Sequence, residues 1–366
     1  MALPQPRAGL MDIPLYEGGR SSLSGHGRVI KLSSNESALG PSPRALEAYE
    51  EAKAQLARYP DGSAQELRNA IAEVHELDAQ RIICGAGSDE ILGLICRAYA
   101  GPGDEVIHTE HGFLMYELYT RSVGATPVAA SDNNITVDII SVLENVTDAT
   151  RAVFIANPNN PTGTYIPSVE VERLRSGLRD DIILVLDGAY AEFMTDEDYE
   201  PGLSLAASLP NTIMTRTFSK IYGLASLRVG WAYAAKSIID TLNRIRSPFN
   251  VNMPALAAAA AAIRDTNHTS TAVAHNIRWM RKALDRLRAL GLEVKGESAN
   301  FILPRFPEKP GYTAADANKF LQRQGIIVRR VTDYGLPHHL RITLGTDAEM
   351  NTVLAALTDF MGGKDG

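Results

Sequence analysis

Short, continuously apolar segments recur along the first two thirds of the chain and end at glycine, proline, asparagine or aspartate. Clear examples are residues 151–156, which precede Asn157, and residues 182–187, which end at Asp187. Strands that are buried on both faces have this pattern, whereas strands with one solvated face alternate. Segments with helical periodicity, such as residues 90–100 and 115–122, separate these strands. The alternation predicts an α/β fold with a mostly parallel sheet.

Similar patterns place further strands in this sheet and in a second lobe. From about residue 254, an alanine-rich run begins a long helical stretch that continues to about residue 290 and is expected to connect two domains. The further strands of the first sheet are predicted at residues 81–84, 105–108, 126–129, 212–217 and 229–233. In the second lobe, strands are predicted at residues 299–303, 326–329 and 340–344, and helices at 313–324 and 347–361.

The predicted organisation has four parts. Residues 1–30, rich in Gly, Pro and Ser, form an N-terminal arm, and residues 31–50 contribute to the small domain. Residues 51–254 form the large domain, and residues 255–366 form a small α+β C-terminal domain. A chain of 366 residues exceeds the size at which one hydrophobic core stops growing, about 250–300 residues, so two domains are expected.

Local signals define several helix starts. Ser42 is expected to cap a helix over residues 44–56, because Pro43 suits its first turn. After a turn at residues 58–62, Ser63 and Glu66 have the spacing of a capping box for a helix over residues 64–76. Residues 85–89 form a glycine-containing loop between a strand and a helix N-terminus, an arrangement that attracts phosphate.

Composition and charge exclude several classes of function. A formal net charge of −7 and a pI near 5.7 argue against general affinity for nucleic acid or anionic membranes. Cys84 and Cys96 show no spacing typical of a disulfide framework or zinc site, so a reducing cytoplasm is expected. No apolar run is long enough to span a bilayer.

Polar residues cluster where the predicted parallel strands end, which is where ligands bind in open α/β sheets. The ends are residues 85–89, 157–163, 187–190 and 217–220. Together they suit one ligand with a phosphate, a basic ring nitrogen and a carbonyl that can react with Lys220, as in pyridoxal 5'-phosphate. A dinucleotide fingerprint is disfavoured because Glu90 occupies its third glycine position. No metal site is expected, because the histidine pairs lack further ligands.

Seven segments resemble the histidinol-phosphate aminotransferases, a family of fold-type I, pyridoxal-phosphate-dependent aminotransferases. They cover nearly the whole chain in the family's order. The segments are residues 31–43, 58–62, 87–89, 157–163, 187–190, 219–228 and 340–346. The resemblance implies a large domain with a mostly parallel seven-stranded sheet, a smaller α+β C-terminal domain and pyridoxal 5'-phosphate as cofactor.

The resemblance also implies a role for each matched residue around the cofactor. Lys220 would form the Schiff base and then act as general acid and base. Asp187 would pair with the ring nitrogen, while Asn160 and Tyr190 would hold the ring's phenolic oxygen. The phosphate would be bound by Gly87, Ser88, Asp89, Thr217, Ser219 and Arg228. Phe113 would stack on the ring, where the family commonly has tyrosine.

Substrate recognition is expected to involve two arginines and further polar groups. By resemblance, Arg341 would bind a substrate carboxylate and Arg329 a second substrate anion, since arginine binds both in a bidentate manner. Tyr16 and Asn35 would complete the substrate pocket, together with Tyr59 from the partner subunit of a homodimer.

The expected reaction is a transamination in histidine biosynthesis between glutamate and imidazole-acetol phosphate, which gives L-histidinol phosphate and 2-oxoglutarate. An aromatic amino-acid aminotransferase on the same scaffold is the alternative, because a pocket for imidazole also suits a phenyl ring. Decarboxylation is less favoured, and a transcription regulator would need a basic helix-turn-helix segment that residues 1–30 do not supply.

Overall fold

Two sheets organise the chain in the computed structural model, which describes residues 3–7, 9–15, 18–25 and 29–362. The strands are β1 (Ile30–Leu32), β2 (Ile82–Gly85), β3 (Glu105–Thr109), β4 (Thr126–Ala130), β5 (Asp132–Asn133), β6 (Thr136–Val137), β7 (Thr150–Ala156), β8 (Ile183–Asp187), β9 (Thr212–Thr217), β10 (Gly230–Ala234), β11 (Glu293–Lys295), β12 (Phe301–Arg305), β13 (Ile326–Arg330) and β14 (Leu340–Thr343).

Helices cover these sheets and connect their strands. The α-helices are α1 (Pro43–Ala52), α2 (Gln65–His75), α3 (Ser88–Tyr99), α4 (Met115–Ser122), α5 (Ile139–Glu144), α6 (Ser168–Gly177), α7 (Leu203–Ser208), α8 (Lys236–Ile245), α9 (Met253–Arg264), α10 (Thr266–Ala289), α11 (Ala314–Arg323) and α12 (Asp347–Gly362). Short 3-10 turns occur at Leu10–Asp12, Lys53–Gln55, Ala79–Arg81, Ala191–Phe193, Ala225–Leu227 and Thr332–Tyr334.

The large sheet has seven strands in the order β2-β10-β9-β8-β7-β3-β4. Strands β9, β8, β7, β3 and β4 run parallel, and β10 is antiparallel to both of its neighbours. Both faces of the central strands are buried, and every residue of β8 and β9 is inaccessible or nearly so. The prediction of a mostly parallel seven-stranded sheet is confirmed.

The second sheet has five strands in the order β1-β13-β14-β12-β11. Strand β1 joins it from the N-terminal part of the chain and pairs in parallel with β13. Trp279, Phe306 and Phe360 lie in the hydrophobic core between this sheet, α10 and α12. The smaller sheet domain was predicted correctly, whereas the domain bounds at residues 30, 50 and 254 stay our proposal.

Two local predictions were wrong. The capping box of Ser63 and Glu66 does not form. Instead, the carboxylate of Asp61 accepts the backbone N–H groups of both Ser63 and Gln65. The helical stretch to residue 290 is broken at Asp265, whose side chain caps the N-terminus of α10. Ser42 caps α1 as expected, by accepting the backbone N–H of Ala45.

Helices α5 to α8 and strand β11 were not predicted from the sequence. α5 and α7 have only six residues each, too few to show a clear apolar period. Within the residues that the structure describes, no helix combines the length and the apolarity that crossing a bilayer requires.

Candidate active site

A cavity of about 260 Å³ lies between the carboxyl ends of β7, β8 and β9 and the two strands β13 and β14 of the smaller sheet. It brings together most of the predicted site residues from segments far apart in the chain. These are Asn35, Ser88, Asp89, Phe113, Asn160, Asp187, Tyr190, Thr217, Ser219, Lys220, Arg228, Arg329 and Arg341.

Two predicted residues that the structure describes, Gly87 and Tyr59, do not line this cavity. Gly87 lies just behind it as the cap of α3. Tyr59 is 82% exposed and stacks on Phe249, with ring centroids 4.7 Å apart, so within this chain it faces solvent. Tyr16 lies outside the described residues. A wider groove of about 590 Å³, between α10 and residues 193–196, contains none of the predicted residues.

The N-terminus of α3 and Arg228 lie together at one end of the cavity. Gly87 has a φ of 81°, a conformation that glycine adopts without strain, and a Cβ there would collide with the Arg228 guanidinium. Arg228 donates to Asp89 Oδ2 at 2.7 Å and to Ser219 Oγ at 3.1 Å, which fixes its guanidinium. Backbone N–H groups at a helix N-terminus bind phosphate well.

Asp187 ends β8 as a buried carboxylate without a cationic partner among the described residues. Its oxygens accept hydrogen bonds from Tyr116 Oη at 2.8 Å and from Thr215 Oγ1 at 3.0 Å. Burial raises its pKa to about 6, although these two hydrogen bonds oppose the rise. A carboxylate in this environment favours a ligand that brings a positive charge.

Lys220 is half-buried, and its Nζ donates to the backbone oxygen of Ser34 at 3.1 Å. Burial, together with the positive charge of Arg341, lowers its pKa to about 8. The amine is therefore neutral in a much larger fraction of molecules near pH 7.5 than an ordinary lysine. A neutral amine is the form that attacks a carbonyl.

Arg329 and Arg341 lie directly opposite each other on β13 and β14. Like charges in such a cross-strand pair repel, and no described carboxylate pairs with either arginine. Arg341 is buried, and it donates to Asn160 Oδ1 and, at 2.9 Å, to the backbone oxygen of Ser33, while its Nε has no acceptor in the described part of the chain. This end of the cavity is suited to an anion.

Two aromatic side chains, Phe113 and Tyr190, also line the cavity. Phe113 meets Tyr116 edge to face, with centroids 5.7 Å apart and ring planes at 89°. Tyr190 is 3% exposed, and its hydroxyl accepts a hydrogen bond from Asn35 Nδ2 at 2.9 Å. Burial raises the Tyr190 pKa to about 12, so the phenol carries its proton.

Sequence reasoning missed Tyr116, Thr215 and Ser34 as contacts of the site. Tyr116 lies in the first turn of α4, three residues after Phe113, and its ring contacts the Phe113 ring; this short spacing was an available signal. Thr215 precedes Thr217 by two residues on β9, so both point to the same face of the sheet. The contact between Ser34 and Lys220 spans 186 residues and had no local signal.

These residues fit pyridoxal 5'-phosphate. The helix N-terminus with Arg228 suits its phosphate, and the uncompensated Asp187 suits a protonated ring nitrogen. Lys220 is the available amine for its aldehyde. In the described part of the chain, no three His, Cys, Asp or Glu side chains come together as a candidate metal site. Cys84 and Cys96 are buried and unpaired.

Comparisons with known proteins agree on one family. A family model described as aminotransferase class I and II matches residues 27–357. Histidinol-phosphate aminotransferase from Paramagnetospirillum magneticum is 52% identical over 362 residues, which are 99% of this chain and 100% of that protein. The protein of the same name from Rhodospirillum rubrum is 53% identical over 99% of this chain and 98% of its own length.

Solved structures resemble the whole chain. Histidinol-phosphate aminotransferase from Sinorhizobium meliloti, crystallised in complex with pyridoxal 5'-phosphate, superposes with a TM-score of 0.90 at 26% identity, covering 99% of each chain. Aspartate aminotransferase from Thermus thermophilus with maleate has a TM-score of 0.80 at 24% identity and covers 91% of each chain, which indicates a shared fold.

Proposed function

Because the chain belongs to the class I and II aminotransferases, we propose that it transfers an amino group between glutamate and imidazole-acetol phosphate in histidine biosynthesis. The products are 2-oxoglutarate and L-histidinol phosphate. The observation that carries this choice of substrate is the full-length similarity, above 50% identity, to two histidinol-phosphate aminotransferases. The comparisons do not favour the alternative of an aromatic amino-acid aminotransferase.

Pyridoxal 5'-phosphate, when bound, supplies an aldehyde that takes the amino group and a ring that accepts the electron pair of the breaking C–H bond. The N–H groups of Ser88 and Asp89 at the start of α3 bind its phosphate, and Arg228, Thr217 and Ser219 complete that site. The support is the fixed guanidinium of Arg228, which is held by Asp89 and Ser219.

Lys220 carries the proton transfers in this proposal. Its Nζ would take the proton from the amine-bearing carbon of the amino donor and deliver it to the carbon that carried the aldehyde of the cofactor, and the first of these transfers requires the neutral amine. The lowered pKa of about 8 supports this role, because a general base works best when its pKa is near the working pH. The Tyr190 ring lies beside this amine, with its centroid 5.8 Å from Nζ.

Asp187, Asn160 and Tyr190 orient and polarise the ring. Asp187 keeps a proton on the ring nitrogen, since the buried carboxylate then gains the cation that it lacks. Tyr190 and Asn160 hold the phenolic oxygen, and Phe113 covers a face of the ring. Asn160 also accepts a hydrogen bond from Arg341, so cofactor and substrate groups share one network.

Arg341 and Arg329 bind the anionic groups of the two substrates. Both arginines line the cavity without a described carboxylate partner, and Asn35 lines the wall beside them. The deciding experiment compares kcat/KM for histidinol phosphate, tyrosine and phenylalanine with 2-oxoglutarate as acceptor. We expect a preference of at least about a hundredfold for the phosphorylated substrate, because its phosphate offers the arginines more negative charge and more acceptor oxygens than the carboxylate of tyrosine or phenylalanine. Equal values would contradict the proposal.

We also propose a cytoplasmic homodimer in which Tyr59 reaches the partner's active site and Tyr16 closes the substrate pocket. The support is the exposed stack of Tyr59 on Phe249 beside other exposed apolar side chains, including Leu56. Cysteines without a disulfide suit the cytoplasm.

Mixed dimers test the crossing of Tyr59. Subunits with Lys220→Ala and subunits with Tyr59→Ala are each expected to be nearly inactive alone. If Tyr59 crosses, a mixed dimer has one site with both residues intact, so mixing restores up to half of the activity per dimer. If Tyr59 serves its own subunit, one site of the mixed dimer lacks Lys220 and the other lacks Tyr59, so mixing restores nothing.

A further inference from the structure

A buried chain of hydrogen bonds connects the end of β14 to the Tyr190 hydroxyl. The backbone N–H of Asn35 donates to Thr343 Oγ1 at 2.9 Å, and Thr343 Oγ1 lies 3.2 Å from Asn35 Oδ1. Asn35 Nδ2 donates to Tyr190 Oη at 2.9 Å. Thr343 and Asn35 are 308 residues apart, and both are almost completely buried.

The direction of each bond in this chain is determined. A backbone N–H only donates, so it fixes Thr343 Oγ1 as an acceptor and leaves the threonine proton for Asn35 Oδ1. The carbonyl end of the Asn35 amide therefore faces Thr343, and the NH₂ end faces Tyr190. Tyr190 Oη accepts a hydrogen bond in this contact, so its own proton is free to point into the cavity.

The backbone of Asn35 has a left-handed conformation that hydrogen bonds from a neighbouring side chain hold in place. Asn35 has a φ of 55°, in the left-handed region that asparagine tolerates better than most residues. Asn300 Nδ2 donates to the backbone oxygens of Asn35 and Glu36, at 3.1 and 3.2 Å. These contacts keep the Asn35 amide between Thr343 and Tyr190.

We propose that Thr343 is a positioning residue, which acts through Asn35 to aim the Tyr190 proton at the ligand in the cavity. The inference rests on the proposed function, since the ligand oxygen that accepts this hydrogen bond is the phenolic oxygen of the cofactor. Without the threonine hydroxyl, the Asn35 amide is free to rotate and present Oδ1 to Tyr190. The Tyr190 hydroxyl would then donate its hydrogen bond to Asn35 Oδ1 and not to the ligand.

Thr343→Val tests the proposal, because valine keeps the shape and removes the hydroxyl. The readout is the pH at which the visible absorption band of the cofactor bound to Lys220 changes. A hydrogen bond donated to an ionised oxygen stabilises it, so its loss is expected to raise this pH by about one unit. Thr343→Ser retains the hydroxyl and is expected to titrate like the wild type.

A double-mutant cycle with Tyr190→Phe separates positioning from general damage. If Thr343 acts through the tyrosine proton, Thr343→Val has no further effect on the titration in the Tyr190→Phe background. Equal titrations of Thr343→Val and the wild type, or a shift that persists undiminished in Tyr190→Phe, would overturn the inference. If Thr343→Val fails to fold, Thr343→Cys serves instead, since a thiol is a weak donor of similar size.

The titration also distinguishes this inference from the substrate assignment. It requires only that the cofactor is bound to Lys220. If the wild type titrates normally but prefers phenylalanine, the proposed substrate is wrong, and the positioning role of Thr343 still holds. A wild type that shows no visible band with pyridoxal 5'-phosphate would overturn both.

Discussion

Asp187→Asn is expected to stabilise the cofactor-free protein while it weakens cofactor binding and turnover. In the cofactor-free protein, Asp187 is buried and accepts hydrogen bonds from two hydroxyls and from the backbone of Ala189, and burial raises its pKa from the ordinary 3.8 to about 6. Each pKa unit corresponds to about 1.4 kcal/mol, so keeping this carboxylate ionised costs the folded state about 3 kcal/mol at neutral pH. Asparagine has the same shape and avoids this cost.

The sign of the pH dependence follows from the raised pKa. Between about pH 4 and 6 the folded protein binds more protons at Asp187 than the unfolded chain, so its stability falls as the pH rises through this range. The stability advantage of Asp187→Asn is therefore greatest above about pH 6 and disappears below about pH 4. Urea unfolding of cofactor-free protein at pH 4, 5 and 7.5 measures it. Asp359→Asn, at an exposed position of α12, is the matched control.

The same substitution removes the charge that the cofactor ring needs. Loss of one partner from a buried ion pair costs about 3–5 kcal/mol, which corresponds to a fall of about two to four orders of magnitude in kcat/KM. The reasoning about Asp187 would be refuted if the cofactor-free wild type were more stable at pH 7.5 than cofactor-free Asp187→Asn. A stability difference between the two that does not change with pH would also refute it.

Three further predictions concern other parts of the site and its support. Gly87→Ala should weaken pyridoxal 5'-phosphate binding about tenfold or more, because a Cβ there meets the Arg228 guanidinium; Gly291→Ala has a similar positive φ with open space around it and should leave the Kd unchanged. Glu192→Gln leaves the buried Arg216 guanidinium without its carboxylate and should lower the free energy of unfolding by about 3–5 kcal/mol, whereas the exposed Glu197→Gln should not. The rate at which cofactor-free protein captures pyridoxal 5'-phosphate should rise with pH up to about 8 and then level off, as Lys220 loses its proton; a rise that continues towards pH 10 would show an ordinary lysine. Stopped-flow absorbance measures this rate.

Much of the site was predictable because parallel strands end at one edge of a sheet. Residues 157–163, 187–190 and 217–220 each follow a strongly apolar strand, so their polar groups had to converge. Two predictions failed elsewhere in the chain because neighbouring side chains competed for the same backbone N–H groups. The Asp61 carboxylate accepts the Gln65 N–H and the Ser63 hydroxyl, so Ser63 does not cap the helix, and Asp265 interrupts a helical period that looked continuous.

Sequence patterns alone were enough to establish the mostly parallel sheet and to predict Lys220 as the reactive lysine and residues 87–89 as an anion site, because each of these inferences depends on short-range pattern and composition. Only the tertiary structure placed Arg329 opposite Arg341 and connected Thr343 to Asn35. It also set the shifted pKa values of Asp187 and Lys220. Register between distant strands and the burial of a charge depend on how whole elements pack, and no local pattern encodes either one.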